Sequence, residues 1–391
     1  MRAQLARTRS MLPPLKTAFV PRSSFPSMKM PVAAVALLLP LATLAAESPR
    51  HAAMTAFETV ELAKGIYGFI PPENTSALVS GNSVAIVGTE SVLVVDAGHW
   101  PSATRRIIDE LRKRTLLPVL YLLNTHWHPD HVTGNAEFQA AFPGLVIVST
   151  LGTGVEFERM LPKNEGKALV DSTAGVRKAL VAGKHGNGKP ITAQERAYYS
   201  DYVEGVDAIG DEVLHARHCP PQLNFAQDLT FHLGGRDVQV SFPGRGNTGG
   251  DAVAYVPDAK LLVVGDLVVH PLPYAFGSFM FEWPATLRKL MAPPLGGATV
   301  IVPGHGPVMR DKAYLERLVR LLDAVATQTR RLAASGLTEE QARKRLDLGH
   351  LRDEFTGGDQ GRNILFDGGF TDPGFHRAFR EAKEGPLHDE E

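Results

Sequence analysis

The chain has 391 residues, of which 44% are hydrophobic and 21% are charged, with a formal net charge of -1. These values are typical of a globular protein that buries a core. The near-zero charge gives no support for nucleic acid or an anionic membrane as a partner. Its one cysteine, Cys219, excludes an intrachain disulfide.

Residues 1–47 have the pattern of a secretory signal peptide. Met28 and Lys29 precede an apolar run over 32–46 that ends in small residues. A charged start, an apolar centre and a small-residue end are the three parts of such a peptide. The run is too short and too interrupted by proline for a comfortable membrane span. We therefore expect a periplasmic or secreted protein without integral membrane association after cleavage, and Met28 as a candidate true start. An uncleaved membrane anchor is the alternative.

Strands and helices alternate in the first half of the remaining chain. Short β-rich runs separated by Gly, Asn and Pro predict strands at 66–70, 77–79, 84–87 and 92–95. Apolar periodicity predicts helices at 102–114 and 135–141, with further strands at 118–123 and 145–148. This alternation favours a sheet sandwich covered by helices.

The rest of the chain contains one long interruption of this rhythm. Residues of about 152–228 are polar with helical runs, and they are too many for an ordinary connection, so we expect an inserted helical subdomain or lid. Strands are predicted again at 229–233, 238–242, 252–256 and 261–264, before an amphipathic helix at 313–332. We expect one domain over 57–335 and a helical C-terminal extension over 336–391.

The stretch His126-Trp127-His128-Pro129-Asp130-His131 carries the strongest chemical signal. His126 and His128 are two residues apart, so in an extended chain both side chains point the same way and can bind one metal ion. Asp130 and His131 follow a turn at Pro129 and can face a second ion beside the first.

With this motif the chain resembles the metallo-β-lactamase superfamily of metallohydrolases. Further family elements follow in family order: an upstream strand that ends in Asp96-Ala97-Gly98, Gly265-Asp266 after an apolar strand, and the late Pro303-Gly304-His305-Gly306. The resemblance extends from about residue 57 to about residue 310. It implies an α+β fold, the αββα sandwich of that family, with the helical insertion.

The resemblance also implies two metal ions that share a bridging hydroxide, with Zn²⁺ as the expected ion and another divalent metal as an alternative. The implied first site is His126, His128 and Asn247; the second is Asp130, His131 and His305, with Asp266 bridging. Asp130 would also orient the hydroxide as the catalytic residue. Asp96 would either support a ligand or its loop, or merely cap the turn after its strand.

One element departs from the family pattern, because the third histidine of the first site is replaced by Asn247. An amide oxygen is a poorer zinc donor than imidazole. Asn247 would therefore remain near the metal and leave the first site weak, or filled only when substrate is present, which is the reading we favour. Alternatively His270 or His99 substitutes, or the first site stays empty and the protein uses one metal or is inactive.

Two further residues are candidates for substrate binding. Arg245 would clamp an anionic substrate through its planar fork of donors, unless it is an ordinary loop arginine. Tyr274 lies in the aromatic segment 271–283 and would donate to a developing oxyanion, although such segments are more often core.

The sequence therefore predicts an exported zinc-dependent hydrolase that uses a metal-bound hydroxide on a small-molecule ester, thioester, lactone or amide. The alternative is a non-catalytic metal-binding accessory protein of the periplasm, which Asn247 alone suggests. A β-lactamase is less favoured, because Asp266 is retained as a potential bridging carboxylate. The sequence gives no indication of the oligomeric state.

Overall fold

Two β-sheets form the centre of the computed structural model, which describes residues 48–73, 78–160 and 165–388. The predicted signal peptide therefore lies outside the described residues. The first sheet has these strands, in spatial order: β1 Glu58–Ala63, β2 Ile66–Ile70, β3 Ser83–Val87, β4 Val92–Val95, β5 Val119–Leu123, β6 Val146–Thr150 and β7 Leu223–Phe225. Strands β1 to β4 pair antiparallel, and β4 to β7 pair parallel.

The second sheet is built from the later strands of the chain. Its members are β8 Asp228–His232, β9 Asp237–Ser241, β10 Val253–Val256, β11 Leu261–Val269 and β12 Val300–His305. Strands β8 to β11 are antiparallel neighbours, and β12 pairs parallel with β11. Each sheet thus contains parallel strands, and the carboxyl-terminal ends of these strands lie together at one end of the sheet.

Helices connect and cover these strands. Those before the second sheet are α1 Pro49–Met54, α2 Pro101–Arg112, α3 Pro129–Val132, α4 Asn135–Ala141, α5 Leu151–Met160, α6 Glu165–Ala182 and α7 Ala193–Leu214. The later ones are α8 Trp283–Met291, α9 Ala313–Ala334, α10 Glu339–Arg343, α11 Gly349–Thr356, α12 Gln360–Phe366 and α13 Asp372–Glu384. A π-helical turn, Asp367–Thr371, joins the last two.

Strand β4 shows why the sheets stack as they do. Leu93 and Val95 point into the apolar layer between the sheets, whereas Val92 and Val94 pack with α2 and α4. Successive residues of a strand face opposite sides, so an entirely apolar strand is buried on both faces. The second sheet repeats this arrangement, and α8 and α9 cover its outer face. The predicted αββα sandwich is confirmed.

The C-terminal helices belong to the same outer layer. Leu351 of α11, Phe366 of α12 and Ala378 of α13 share one apolar cluster with α8 and α9. Helix α13 also packs along α9 through Phe375 and Phe379. Residues after α9 are thus joined to the second sheet by shared core packing.

The insertion consists of α5, α6 and α7. Thr192 and Glu195 form a reciprocal capping box at the start of α7. Val206 and Ile209 of α7 pack against Trp100, which precedes α2. In the part of the chain that the structure describes, no helix combines the length and hydropathy that a membrane crossing requires.

The sequence-based boundaries differ from the structure at the sheet edges. Residues 78 and 79 are not in a strand, and residue 77 lies outside the described residues. Strands β1 and β7 were not predicted; β7 returns the end of the insertion to the first sheet. Both are edge strands with partly exposed or polar residues, so neither has the apolar run on which the prediction depended.

Candidate metal centre

Most predicted metal ligands lie at or after the carboxyl ends of strands from both sheets, and one, Asp266, lies within a strand. His126 follows the end of β5 by three residues, and the turn of α3 then carries Asp130 and His131. Asp266 lies within β11, and His305 is the last residue of β12. The pairing of β11 with β12 brings these two together, and the packing of the sheets brings them to the β5 loop.

The first set of side chains is His126, His128 and Asp266. Nε2 of His126 lies 3.0 Å from Nδ1 of His128. These nitrogens lie 3.5 Å and 3.9 Å, respectively, from Oδ2 of Asp266. His126 is fully buried. The three ligand atoms thus converge on one point below the surface.

The second set is Asp130, His131, His305 and again Asp266. Nε2 of His131 lies 3.1 Å from Nε2 of His305 and 3.2 Å from Oδ1 of Asp266. The Asp130 carboxylate lies 2.9 Å from Nε2 of His305. Asp266 therefore faces the first set with one oxygen and the second set with the other, as a bridging carboxylate does.

These distances fit metal ions. Ligands placed about 2 Å from one tetrahedral ion lie about 3.3 Å from each other. Oδ1 of Asp266 is buried and accepts no well-oriented hydrogen bond from the described residues. A buried carboxylate oxygen without such a donor is costly unless a cation faces it. The imidazole and carboxylate donors are those that zinc prefers.

Asp96 connects the second set to the loop that carries the first set. Oδ2 of Asp96 lies 2.8 Å from Nδ1 of His131 and accepts a 2.8 Å hydrogen bond from Oγ1 of Thr125. Oδ1 accepts from the Thr125 backbone N–H. Asp96 has a φ of 57°, a left-handed conformation that Asp tolerates better than most residues. It contacts both a predicted ligand and the ligand loop.

Burial and charge give the clustered groups different protonation preferences. Burial, together with the neighbouring His131, lowers the pKa of His126 to about 4, so this imidazole is neutral near pH 7. Burial alone would lower the pKa of His131, but Asp266, Asp130 and Asp96 outweigh it and raise that pKa well above its usual value.

The neighbouring imidazoles keep the carboxylates of Asp130 and Asp266 ionised. Burial opposes the charge on Asp130, but His131 and His305 outweigh it, and the pKa of Asp130 is lowered far below its ordinary value. Asp266 likewise keeps a strongly lowered pKa, because His131, His305 and His126 outweigh its burial. A metal ligand must be deprotonated, and both carboxylates meet that condition.

Asn247 lies in the loop between β9 and β10, at the end of the sheet that carries the metal ligands. The adjacent end of this loop is joined to the ligand loop, since the Ala252 N–H donates to the Thr125 carbonyl. Asn247 is fully buried, and its amide nitrogen donates to the Tyr274 carbonyl at 2.9 Å. Its Oδ1 has no hydrogen-bond partner among the described residues. The amide oxygen is thus the free end of a fixed side chain.

The two histidines considered as substitutes have other contacts. Nδ1 of His270 lies 2.9 Å from the Glu73 carboxylate, and its ring packs against Tyr314. The His99 ring stacks on Trp100, and its Nδ1 is 2.9 Å from the Val79 carbonyl. Neither joins the clusters of potential metal ligands found among the described residues.

The guanidinium donors of Arg245, which were predicted to clamp a substrate, contact protein groups instead. Its guanidinium pairs with Glu282, donates to the Leu387 carbonyl at 2.7 Å and lies over the Phe279 ring. These contacts favour a structural role, in which Arg245 fastens the C-terminal segment to the loop that carries Asn247.

Tyr274 borders the site. Burial around its hydroxyl raises the pKa of Tyr274, as do the charges of Asp130 and Asp266 and the nearby Tyr198 of α7. The phenol stays protonated near pH 7 and can act as a hydrogen-bond donor. Sequence reasoning did not single out Tyr198, because the insertion carries no motif that connects it to the metal residues.

Sequence reasoning also missed the residues that hold the His305 loop. The Asn82 side chain donates to the carbonyls of Pro303 and Gly306 at 2.9 Å each. A side chain at Gly304 would place its Cβ 1.9 Å from Oδ1 of Asp266, so only glycine leaves room for the carboxylate. A Cβ at Gly81 would lie 2.3 Å from the His131 ring. Gly81 and Asn82 lie between two predicted strands, and the sequence alone indicated no role for them.

Comparison with known proteins places the site in a family context. The family model of the metallo-beta-lactamase superfamily matches residues 77–305, which is more than half of the chain. A linear primary-alkylsulfatase from a Pseudomonas species is 25% identical over 67% of this chain and 49% of its own length. The chain thus spans about half of that relative.

Two lactamases are also similar. The metallo-beta-lactamase IND-1 of Chryseobacterium indologenes is 25% identical over 62% of this chain and 79% of its own. Among solved structures, a metallo-beta-lactamase from Pontibacter korlensis aligns over 68% of this chain and 99% of its own, with 20% identity and a TM-score of 0.48.

Proposed function

The chain belongs to the metallo-β-lactamase superfamily, and from this premise we propose that it is a metal-dependent hydrolase of a small-molecule ester, thioester, lactone or amide. The observation that carries this proposal is the position of Asp266, whose two oxygens each face one set of imidazoles. When bound at such a site, divalent ions activate water and polarise the carbonyl that is attacked. Zinc is the ion that we propose.

Asp130 is the residue that we propose to handle the proton. Its carboxylate is ionised and lies 2.9 Å from His305 at the edge of the second set. An ionised carboxylate at hydrogen-bond distance from the attacking water would orient it and accept its proton. Asp96 would keep the proton of His131 on Nδ1, so that Nε2 is directed towards Asp266 and His305.

We further propose that Asn247 completes the first set through Oδ1, with a weaker affinity than a histidine would give. Its buried, unpartnered oxygen and the separate contacts of His270 and His99 support this reading. The metal content of purified protein, wild type against Asn247→His, tests it. We expect the variant to hold more metal, or to hold it against a stronger chelator. Equal content and equal activity would contradict the proposal.

The hydrolase proposal is tested with purified protein and chromogenic esters, thioesters, lactones and a cephalosporin, together with an alkyl sulfate because of the alkylsulfatase relative. We expect turnover that a chelator abolishes and zinc restores, and that Asp266→Asn removes. Asp237→Asn is the control, because that exposed carboxylate pairs only with a surface histidine in the described structure. Turnover that survives complete metal removal would refute the proposal.

The same assay separates the second candidate function. Protein that contains metal and is inactive towards every substrate class would favour a non-catalytic metal-binding accessory protein. The unusual residue in the first set, Asn247, is the observation that keeps this candidate. Inactive protein without metal would be reloaded before the comparison is made.

Export is a separate proposal, which depends on the pattern of residues 1–47. We propose that the segment directs the chain to the periplasm or the medium and is removed. Cell fractionation and N-terminal sequencing of the mature protein test this. Cytoplasmic protein that retains the segment would contradict it, and membrane-bound protein that retains it would indicate an anchor.

A further inference from the structure

An exposed aromatic surface lies beside the candidate metal centre. Tyr274 and Phe276 are 42% and 46% exposed, and their ring centroids are 4.5 Å apart with an angle of 35° between the planes. We call these two rings the aromatic shelf. Most large apolar side chains of the described residues are buried, so two adjacent exposed rings mark a place where an apolar group can bind.

The shelf is continuous with the metal residues. The Tyr274 carbonyl accepts the 2.9 Å hydrogen bond from Asn247, which fixes the start of the shelf to the loop of the first set. The backbone of Tyr274 therefore lies beside Asn247, and the Phe276 ring lies beside the Tyr274 ring.

The C-terminal extension contacts the backbone of the shelf. The Ala275 N–H donates to the Gly369 carbonyl at 2.9 Å, and a Cβ at Gly369 would contact the Tyr274 ring at 3.6 Å. Ile364, in the helix just before this turn, is another exposed apolar side chain, at 50%. The backbone of the shelf is thus held by the C-terminal extension, and both rings stay partly exposed.

The charged residue expected to face a substrate is directed elsewhere. Arg245, two residues before Asn247, pairs with Glu282 and the Leu387 carbonyl. Its donors are therefore engaged by protein groups, whereas Tyr274, which contacts Asn247, carries an exposed aromatic ring. An extended surface of two rings suits a chain of several carbons better than a single methyl group.

We infer that the substrate carries an aliphatic acyl or alkyl chain, which lies on Tyr274 and Phe276 while its head group is held at the metal residues. This inference rests on the proposed function, because it places the bond to be cleaved at that centre. It adds the substrate class: a compound with a hydrophobic chain of several carbons.

The test measures binding of straight-chain hydroxamates, from acetohydroxamate to octanohydroxamate, to zinc-loaded protein by titration calorimetry. The hydroxamate head group binds metal, and the chain probes the shelf. We expect the Kd to fall by about two- to fourfold for each added methylene in the wild type. In Phe276→Ala this dependence should flatten, and in Tyr274→Phe, which keeps both rings, it should persist.

Val181→Ala is the matched control, because Val181 is an exposed apolar residue on α6, outside the shelf. Its chain-length dependence should equal that of the wild type. Binding that is independent of chain length, or an unchanged dependence in Phe276→Ala, would overturn the inference while leaving the metal centre intact. Failure of every hydroxamate to bind would instead contradict the proposed metal centre.

Discussion

Replacing Asp96 by Asn separates the orientation of a metal ligand from the stability of the loop. The variant keeps the size of the side chain, and Asn adopts the left-handed conformation of residue 96 as readily as Asp does. Its Oδ1 can still accept from the Thr125 N–H. The new amide nitrogen, however, replaces the oxygen that accepts from Thr125 Oγ1 and faces Nδ1 of His131 at 2.8 Å.

The expected changes in zinc affinity and in the free energy of unfolding follow from these contacts. An amide N–H directed at Nδ1 favours the His131 tautomer with its proton on Nε2, the atom 3.2 Å from Asp266. The amide then stabilises the proton on Nε2, the atom through which zinc would bind, so we expect zinc affinity to fall by about 10- to 100-fold relative to the wild type. Loss of the charged hydrogen bonds should lower the free energy of unfolding by about 1.5–3 kcal/mol.

The assay is competition for zinc with a chromophoric chelator, combined with urea unfolding of the metal-free protein. Glu212→Gln is the matched control, because Glu212 also binds a backbone N–H, that of Ser102, and a histidine, His51 at 2.9 Å, but belongs to the insertion. It should lower stability without changing zinc affinity. If Asp96→Asn binds zinc as tightly as the wild type, the reasoning about the tautomer is refuted.

Three further predictions concern stability. Metal removal by a chelator should lower the free energy of unfolding, by about 2.7 kcal/mol relative to zinc at 100 times its Kd; an unchanged thermal midpoint would contradict a structural metal contribution. Glu381→Gln should stabilise the protein at neutral pH, because burial and then Glu282 raise the pKa of Glu381. That gain in stability should disappear below about pH 4.3, the pKa of a glutamate in the unfolded chain, because Glu381 is then protonated in both the folded and the unfolded protein. A gain that instead grows as the pH falls would contradict the direction of this pKa shift. Arg245→Gln should speed hydrogen exchange in residues 372–388 and leave KM unchanged; a raised KM with normal exchange would restore the predicted substrate clamp.

The contrast between His131 and Asn82 shows what the sequence could and could not predict. His126, His128, Asp130 and His131 lie within six consecutive positions, so their relative placement depends on the local backbone. Their spacing therefore indicates a metal site without knowledge of the fold. Asn82 holds residues 303–306, more than two hundred positions away, and nothing in its neighbours along the chain records that contact. Long-range supports of this kind become visible only when the sheets are assembled.

The same limit applies to the sheet edges and the insertion. Strand β4 was predicted because both faces are apolar, whereas β1 and β7 lie at the edges of their sheet and carry partly exposed residues. Helix α7, Ala193–Leu214, lies in the insertion, for which helical runs were predicted. The effect of Tyr198 on the pKa of Tyr274 depends on tertiary packing, so it could not be foreseen from the sequence.

The outer helical layer of the second sheet has a consequence for the choice of protein fragments. The family match ends at residue 305, but Leu315, Leu318 and Leu322 of α9 are fully buried with Leu262, Val264 and Ile301 in one cluster. A recombinant product that stopped at residue 305 would carry every predicted metal ligand and still leave one face of β11 and β12 open to water. Such a fragment should aggregate on expression. The segment that matches the family is therefore shorter than the segment that must be expressed to obtain the complete core.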